Sequence, residues 1–157
     1  MAVKKKRKTD PGDVATNRSA SFRYHLSDKL ETGMMLTGTE VKSLRGGKAQ
    51  IKDGYVALQD GELWLHNVHI PPYANAARDN HEPERPRKLL AHRAEIERLA
   101  TKVSAKGFTL VPTRIYFSGA HAKLEIALAR GKDAGDKRQS IKERDMRRDM
   151  DRALAER

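Results

Sequence analysis

The strongest constraint on the fold is a period-two alternation of apolar residues that recurs along the middle of the chain. It starts in residues 22–30 (FRYHLSDKL), continues through 55–70 and 108–117, and returns in 123–129 (KLEIALA). Because successive side chains of a β-strand point to opposite faces, this spacing predicts strands with one buried face. The middle of the chain is therefore expected to be mainly β-sheet.

Turn signals separate the predicted strands. Asp-Gly pairs at residues 53–54 and 60–61 lie between alternating segments, and Pro112 predicts a bulge or a sheet edge. About six short antiparallel strands with two helices are the pattern of a small barrel. An oligonucleotide-binding-type (OB-like) barrel is favoured, since closure removes the sheet edges and this architecture commonly binds nucleic acid.

Two helical segments interrupt the strands. Residues 37–48 begin with threonines that can cap a helix, Thr37 or Thr39, and end with consecutive glycines before the last lysine. Residues 91–106 carry apolar residues at helical spacing and are followed by a glycine. Residues 71–87, with four prolines and many charges, are predicted to be a long mobile loop.

The chain is strongly basic, with a formal net charge of +11 over 157 residues. Such a field attracts polyanions, nucleic acid first and anionic membrane second. The KKKRK run at residues 4–8 fits either a nuclear address or an arm that lies on phosphates. Residues 1–16 are predicted to be a disordered basic arm.

Several kinds of chemistry are excluded or disfavoured. The chain has no cysteine, which excludes disulfides, thiol catalysis and thiolate metal sites. The RGGK segment departs from a phosphate-binding P-loop at Lys42 and Ala49. His66 and His69 would point to opposite faces of a strand, which disfavours a metal site. We therefore expect no enzymatic activity, no cofactor and no metal.

The sequence contains neither a run of 18 apolar residues nor the apolar region of a signal peptide. We therefore expect a soluble, intracellular protein that does not enter a membrane.

Three blocks are more specific than the composition: residues 31–56 (ETGMMLTGTEVKSLRGGKAQIKDGYV), 85–99 (RPRKLLAHRAEIERL) and 123–145 (KLEIALARGKDAGDKRQSIKERD). In order and spacing they resemble the bacterial SsrA-binding protein (small protein B, SmpB) family, from about Asn17 to the end of the chain. The resemblance implies a six-stranded OB-like barrel with flanking helices. It also implies a monomeric, cytoplasmic, non-catalytic adaptor that binds the tRNA-like domain of transfer-messenger RNA (tmRNA) and delivers it to the A site of a stalled bacterial ribosome. That process is trans-translation.

The resemblance and the charge pattern together assign eight residues to the surface for the tRNA-like domain: Glu31, Lys42, Arg45, Lys48, Arg87, Lys88, Leu90 and His92. The carboxylate would accept hydrogen bonds from base edges or ribose hydroxyls, and the cations would supply charge toward phosphates. The leucine would stack on an unpaired base, and the imidazole would stack or hydrogen-bond.

Plainer roles compete with these assignments. Glu31 can be an ordinary surface acid at the end of a strand. Either Leu89 or Leu90 must pack into the core, and the sequence leaves open which one does. Tyr55 and Trp64 lie in predicted strands and are interpreted as core or barrel-wall residues.

Residues 131–157 form a charged C-terminal tail with a thin apolar stripe, predicted to be disordered when free and helical on the ribosome. The alternative is a helix docked on its own barrel. The resemblance implies that the tail reads the decoding centre and the empty messenger channel through Asp136, Lys137, Arg138, Ile141, Lys142, Arg144, Arg148 and Leu154. Many family members have an aromatic residue or histidine before the Asp-Lys-Arg run, where this chain has Gly135.

A second function of a different class stays open at this stage. The same basic arms and barrel would suit a general structural-RNA-binding or ribosomal protein.

Overall fold

The structure is a computed structural model that describes residues 13–47, 49–76, 79–105 and 107–156. Within these ranges the strands are β1 (Asp13–Thr16), β2 (Tyr24–Met34), β3 (Tyr55–Gln59), β4 (Glu62–His66), β5 (Arg87–Leu90), β6 (Phe108–Ser118) and β7 (His121–Gly131). The helices are α1 (Ala20–Arg23), α2 (Gly38–Arg45), α3 (Arg93–Val103) and α4 (Ala134–Ala155). The predicted mainly β fold with flanking helices is confirmed.

Six of the strands close on themselves. The sheet order is β1-β6-β3-β4-β5-β2-β7, all pairs are antiparallel, and β7 also pairs with β6. The strands β2 to β7 therefore form a ring, which matches the predicted six-stranded barrel. Within the ring, β6 pairs with β3 over a short length only. The rest of that edge of β6 is not paired with any of the six strands of the ring.

That free edge holds the seventh strand, which corrects the prediction of a disordered arm over residues 1–16. β1 pairs with Arg114, Ile115 and Tyr116 of β6, and Val14 and Ala15 pack against the core. The segment has little apolar content of its own, so its order comes from a distant strand edge rather than from local sequence. The remaining part of the predicted arm, residues 1–12, lies outside the described residues.

Inward-facing residues of the strands form the main core, and helices α2 and α3 cover it. Leu44 of α2 and Leu99 of α3 are completely buried in it. The predicted strand over residues 22–30 starts later than expected, because residues 20–23 form α1 before β2 begins. The predicted irregularity at Pro112 is confirmed, since the β6–β7 register shifts between Pro112 and Arg114.

α2 begins as the sequence predicts. Thr37 is its N-cap residue and Glu40 closes a capping box, with Glu40 Oε1 accepting a hydrogen bond from the Thr37 backbone N–H at 3.2 Å. α3 is shorter than the predicted 91–106 and starts after His92, whose backbone N–H donates to Glu95 Oε2 at 3.3 Å. Both helices are thus capped at their first turn by the carboxylate of the third helical residue.

The tail differs from the predicted free-state disorder, because α4 is a continuous helix of 22 residues. Within the described part of the chain, its attachments lie in or just before its first half: the Lys132 N–H donates to Arg23 O at 3.1 Å, and Lys132 Nζ bridges Ser21 O and Ser140 Oγ at 2.9 and 2.8 Å. The Arg144 guanidinium lies 5.5 Å from the centre of the Phe22 ring. From residue 141 to 156 the helix is exposed on all sides. The structure therefore combines the docked alternative at the first turns with a free distal half.

None of the helices in the described part of the chain is long and apolar enough to cross a membrane.

Candidate nucleic-acid interface

Five polar side chains occupy the outer face of the barrel where β2, β7 and β6 run side by side. In the strand pairing, Glu31 of β2 lies opposite Glu125 of β7, which in turn lies opposite Arg114 of β6. Two residues further along β2, Gly33 lies opposite Lys123 of β7, which lies opposite Tyr116 of β6. Glu31 is exposed, and the Tyr116 hydroxyl reaches across β7 to donate a hydrogen bond to Glu31 Oε2. This predicted RNA-contacting carboxylate is thus accessible and held by a specific partner.

Arg114 ties this face together. Its Nε donates to Glu125 Oε2 at 2.9 Å and its Nη1 to Asp13 Oδ1 at 3.0 Å. The same guanidinium lies 4.3 Å from the centre of the Tyr116 ring, within the range of a cation–π contact. Strand β1 is therefore linked through Arg114 to the tyrosine that holds Glu31.

Two pKa shifts follow from this packing. Burial, followed by the hydrogen bond to Glu31, raises the pKa of the Tyr116 hydroxyl well above its ordinary value, so it remains a donor at neutral pH. Burial alone would raise the pKa of Glu125, but hydrogen bonds from Arg114 and Thr113 outweigh it and lower that pKa. Glu125 is therefore ionised as the counter-charge of Arg114.

The exposed side of α2 carries two of the predicted phosphate-binding cations. Lys42 Nζ lies 5.6 Å from the centre of the Tyr73 ring, and the Arg45 guanidinium lies 4.9 Å from that of Phe117. Both side chains are exposed, and the aromatic rings limit their range of positions. The third predicted cation, Lys48, lies outside the described residues.

Arg87 corrects the sequence prediction. It was predicted to supply charge to RNA, but its side chain is completely buried, with 0% exposure. Its Nε donates to Glu40 Oε2, its Nη1 to Val68 O at 2.8 Å, and its Nη2 to Pro83 O at 2.9 Å. All of its directed bonds are thus made inside the protein, so Arg87 has a structural role.

Glu40 is the other half of this buried pair. It is also completely buried, and its Oε1 accepts a further hydrogen bond from Arg85 Nε at 3.0 Å. Burial alone would raise the pKa of Glu40, but hydrogen bonds from Arg87 and Arg85 outweigh it and lower that pKa. The cluster fastens α2 to β5 and to the end of the loop before it.

The loop predicted to be mobile over residues 71–87 is attached at several described points. Ser43 Oγ donates to Pro71 O at 2.7 Å. The buried His81 ring makes hydrogen bonds with Thr39 Oγ1 at 2.9 Å and with Ile70 O at 2.8 Å. The loop therefore packs along α2, and its end becomes β5 at Arg87.

β5 and the start of α3 present the remaining predicted residues. Lys88 is half-buried, with its Nζ 2.8 Å from Glu62 Oε1. Leu89 is buried at 1% exposure whereas Leu90 is 49% exposed, which resolves the alternative that the sequence left open. His92 is exposed at the N-cap of α3.

A groove joins these elements. Its lining includes Gly33, Leu36, Val41, Leu90, Ala122 and Lys123, which come from β2, the segment after it, α2, β5 and β7. The groove places the exposed Leu90 between α2 and the outer face that carries Glu31. Seven of the eight predicted residues lie in the described chain. Leu90 lines the groove, Arg87 is buried, and the other five reach the surface outside the groove lining: Glu31, Lys42, Arg45, Lys88 and His92.

The predicted ribosome-contacting residues divide into two groups. Asp136 and Lys137 are half-buried near the start of α4, where Asp136 Oδ2 lies 3.2 Å from His25 Nε2. The hydrogen bond from His25 lowers the pKa of Asp136. The others are exposed: Arg138, Ile141, Lys142, Arg144, Arg148 and Leu154. At Gly135 an added Cβ would meet nothing within 4 Å, so the helix has room for a side chain there.

Sequence reasoning missed three residues that shape the interface. Arg114 and Tyr116 are two residues apart in a predicted strand. The period-two alternation of that strand could have indicated that both side chains face outward. The sequence does not single out Glu40, and no local signal marks its burial. The pair that it forms with Arg87 joins positions 47 residues apart.

Tyr55 and Trp64 belong to the barrel wall, as predicted. Trp64 is half-buried on β4, and Tyr55 on β3 is 43% exposed with its ring stacked at 5.1 Å on that of His66. Among the described residues no cluster of three or more histidine and carboxylate side chains could hold a metal ion.

A closed β-barrel with a basic helix face, an exposed groove and a projecting charged helix defines the class of small β-barrel nucleic-acid-binding proteins. The family model for SmpB protein matches residues 14–156, and the chain belongs to this family.

Individual relatives agree. The SsrA-binding protein of Thermobifida fusca (strain YX) is 53% identical over 159 residues, covering 100% of this chain and 99% of that protein. That of Acidothermus cellulolyticus is 54% identical over 144 residues, covering 92% of this chain and 91% of the relative. A solved structure described as "tmRNA-SmpB: a journey to the center of the bacterial ribosome" shares 46% identity with a TM-score of 0.65, covering 76% of this chain and 85% of that one.

Proposed function

We propose that this protein is the RNA-binding adaptor of trans-translation, which binds the tRNA-like domain of tmRNA and delivers it to the A site of stalled ribosomes. The observation that carries this is family membership over residues 14–156 together with an exposed groove that has Leu90 and Lys123 in its lining. Its partners are thus tmRNA and the ribosome, and its place of work is the bacterial cytoplasm.

The exposed residues assigned to the tRNA-like domain have different roles in this proposal. Lys42 and Arg45 lie on one helix face and meet the phosphate backbone. The Glu31 carboxylate accepts hydrogen bonds from base edges or ribose hydroxyls, because a carboxylate gains nothing from a phosphate. Leu90, which is exposed despite its apolar side chain, covers an unpaired base.

The barrel and the tail serve two different RNAs in this proposal. The barrel over residues 17–130 holds the tRNA-like domain, and the tail over 131–157 probes the decoding centre and the messenger channel. The exposed distal half of α4 supports this, since Ile141, Met146, Met150 and Leu154 are 42–68% exposed and have no partner surface among the described residues. A monomeric protein without chemistry of its own suffices for such a role.

Co-purification gives the direct test of tmRNA binding. We expect the protein, isolated from its own cells at moderate salt, to carry one structured RNA with a tRNA-like end. The enriched RNA is identified by sequencing, against a mock purification from untagged cells. A broad mixture of ribosomal and messenger fragments without that species would favour a general structural-RNA-binding protein instead.

Replacing Lys42 and Arg45 by alanine is expected to reduce the salt dependence of binding to the tRNA-like domain. Each lost phosphate contact lowers the slope of log K against log salt, so the double variant should lose about 1.4–1.8 from its slope. The affinities are measured by filter binding at several salt concentrations.

The matched control removes two cations from the exposed distal tail, Arg147 and Arg152, and so has the same net charge. Its slope should stay near that of the parent protein. Equal slopes for the two double variants would remove Lys42 and Arg45 from the phosphate contacts.

A further inference from the structure

Glu31 is held on the outer face of the barrel by a single described group. We propose that Tyr116 is the positioning residue of the Glu31–RNA contact: its hydroxyl fixes one carboxylate oxygen and leaves the other to a base-edge or ribose donor. This inference rests on the proposed function, and it adds a residue that acts on RNA through Glu31.

The hydrogen bonds of Glu31 support this division of its two oxygens. Tyr116 donates to Oε2 across the intervening strand β7. Among the described residues no other group hydrogen-bonds the Glu31 side chain, so Oε1 is left for a ligand. An exposed glutamate otherwise samples many rotamers, and fixing it before binding reduces the entropy lost in the complex.

Tyr116 can fix Glu31 because the tyrosine ring is itself fixed. The Arg114 guanidinium covers the ring at 4.3 Å and is bound to carboxylates on two different strands, Glu125 at 2.9 Å and Asp13 at 3.0 Å. Lys29 Nζ, 3.6 Å from Glu125 Oε1, adds a further charge to this network. The tyrosine hydroxyl is therefore aimed by groups that belong to the barrel frame.

The electrostatics of the face suit a donor ligand. Glu125 already neutralises Arg114, and the raised pKa of Tyr116 means that its hydroxyl gives a hydrogen bond rather than a negative charge. The Glu31 oxygen that Tyr116 does not bind is then an acceptor, which fits amino and imino groups of bases or a ribose 2′-hydroxyl.

The test is a double-mutant cycle on Tyr116→Phe and Glu31→Ala, with the transcribed tRNA-like domain of a bacterial tmRNA as the probe. Phenylalanine keeps the ring under Arg114 and removes only the hydroxyl, and alanine leaves no side-chain oxygen for that hydroxyl to bind. We expect Y116F to weaken binding about fivefold, the usual value of one hydrogen bond, and to have less than about a 1.5-fold effect once Glu31 is alanine. Thermal unfolding of each variant shows that the barrel stays folded.

Tyr55→Phe is the matched control, since the Tyr55 hydroxyl makes no hydrogen bond to the described residues. It should leave affinity unchanged. Equal losses from Y116F with and without Glu31, or no loss in either background, would overturn the positioning role. The positioning role would also be overturned if E31A bound the tRNA-like domain like the parent, and the adaptor function would still stand in that case. A parent protein that prefers the tRNA-like domain no more than an unrelated stem-loop would instead refute the proposed function.

Discussion

Glu40→Gln is expected to lower the free energy of unfolding by about 3–5 kcal/mol, because it leaves buried arginine charge without its counter-ion. Arg87 has 0% side-chain exposure, so water cannot replace the lost carboxylate. Glutamine can still accept the Thr37 N–H bond that closes the capping box of α2, so the loss is that of the buried ion pair. Urea denaturation at neutral pH measures the change.

The matched control is Glu62→Gln, the same chemical change at an ion pair on the barrel surface. Glu62 pairs with Lys88 at 2.8 Å, but its side chain is 42% exposed. Exposed pairs contribute about 0–1 kcal/mol, so E62Q should unfold almost like the parent. Similar losses in the two variants would show that the Glu40–Arg87 pair is not desolvated in solution.

The same pair makes a pH prediction with a definite sign. Hydrogen bonds from the arginines hold the pKa of Glu40 below its ordinary value of 4.5 in the folded state, whereas the unfolded chain has the ordinary value. The stabilisation is therefore complete well above pH 4.5 and is lost as the pH falls through the lowered folded-state pKa. The difference in stability between the parent and E40Q should shrink as the pH falls from about 5 to well below 4.5. A difference that stayed constant over that range would contradict the assignment.

The barrel could be predicted from the sequence because its signal is local. Alternating residues such as those in 123–129 face the core in one phase, and the Thr37 cap and the Pro112 bulge depend on neighbours in the chain. β1 could not be predicted in this way. Its four residues are ordered by the free edge of β6, about a hundred residues away, which no local pattern in residues 13–16 reveals.

The residues of the candidate site show the same difference between local and long-range causes. The exposure of Lys42 and Arg45 follows from the amphipathic pattern of a short helix, and both reach the surface as expected. Arg87 lies in an equally basic sequence, but its side chain is buried because it pairs with Glu40, 47 residues earlier in the chain. The tail was predicted from its own thin apolar stripe, but its first turns are held by α1 and β2 through Lys132 and His25.

A chain that stops after Asp133 is expected to bind the tRNA-like domain within about twofold of the full-length protein and to lose tagging on messenger-free ribosomes. Binding changes little because residues 134–157 hold eight Lys/Arg against six Asp/Glu, so their removal changes the net charge by only two. The truncated chain also keeps the Lys132 N–H bond to Arg23 O, which leaves the end of the barrel intact. Filter binding and a reconstituted tagging reaction measure the two effects.

Helical continuity, rather than tail charge, should account for the lost tagging. Asp145→Pro breaks the exposed half of α4, because proline removes a backbone donor and clashes with the preceding turn, at a cost of about 3 kcal/mol. Asp145→Ala removes the same charge and keeps the helix. We expect D145P to approach the truncated chain in tagging and D145A to resemble the parent, with equal affinities for the tRNA-like domain in both. Equal tagging by D145P and D145A would mean that the distal tail acts as a charged arm, whatever its conformation. A parallel loss of RNA binding would place the tail on the same RNA as the barrel and remove the division between the two surfaces.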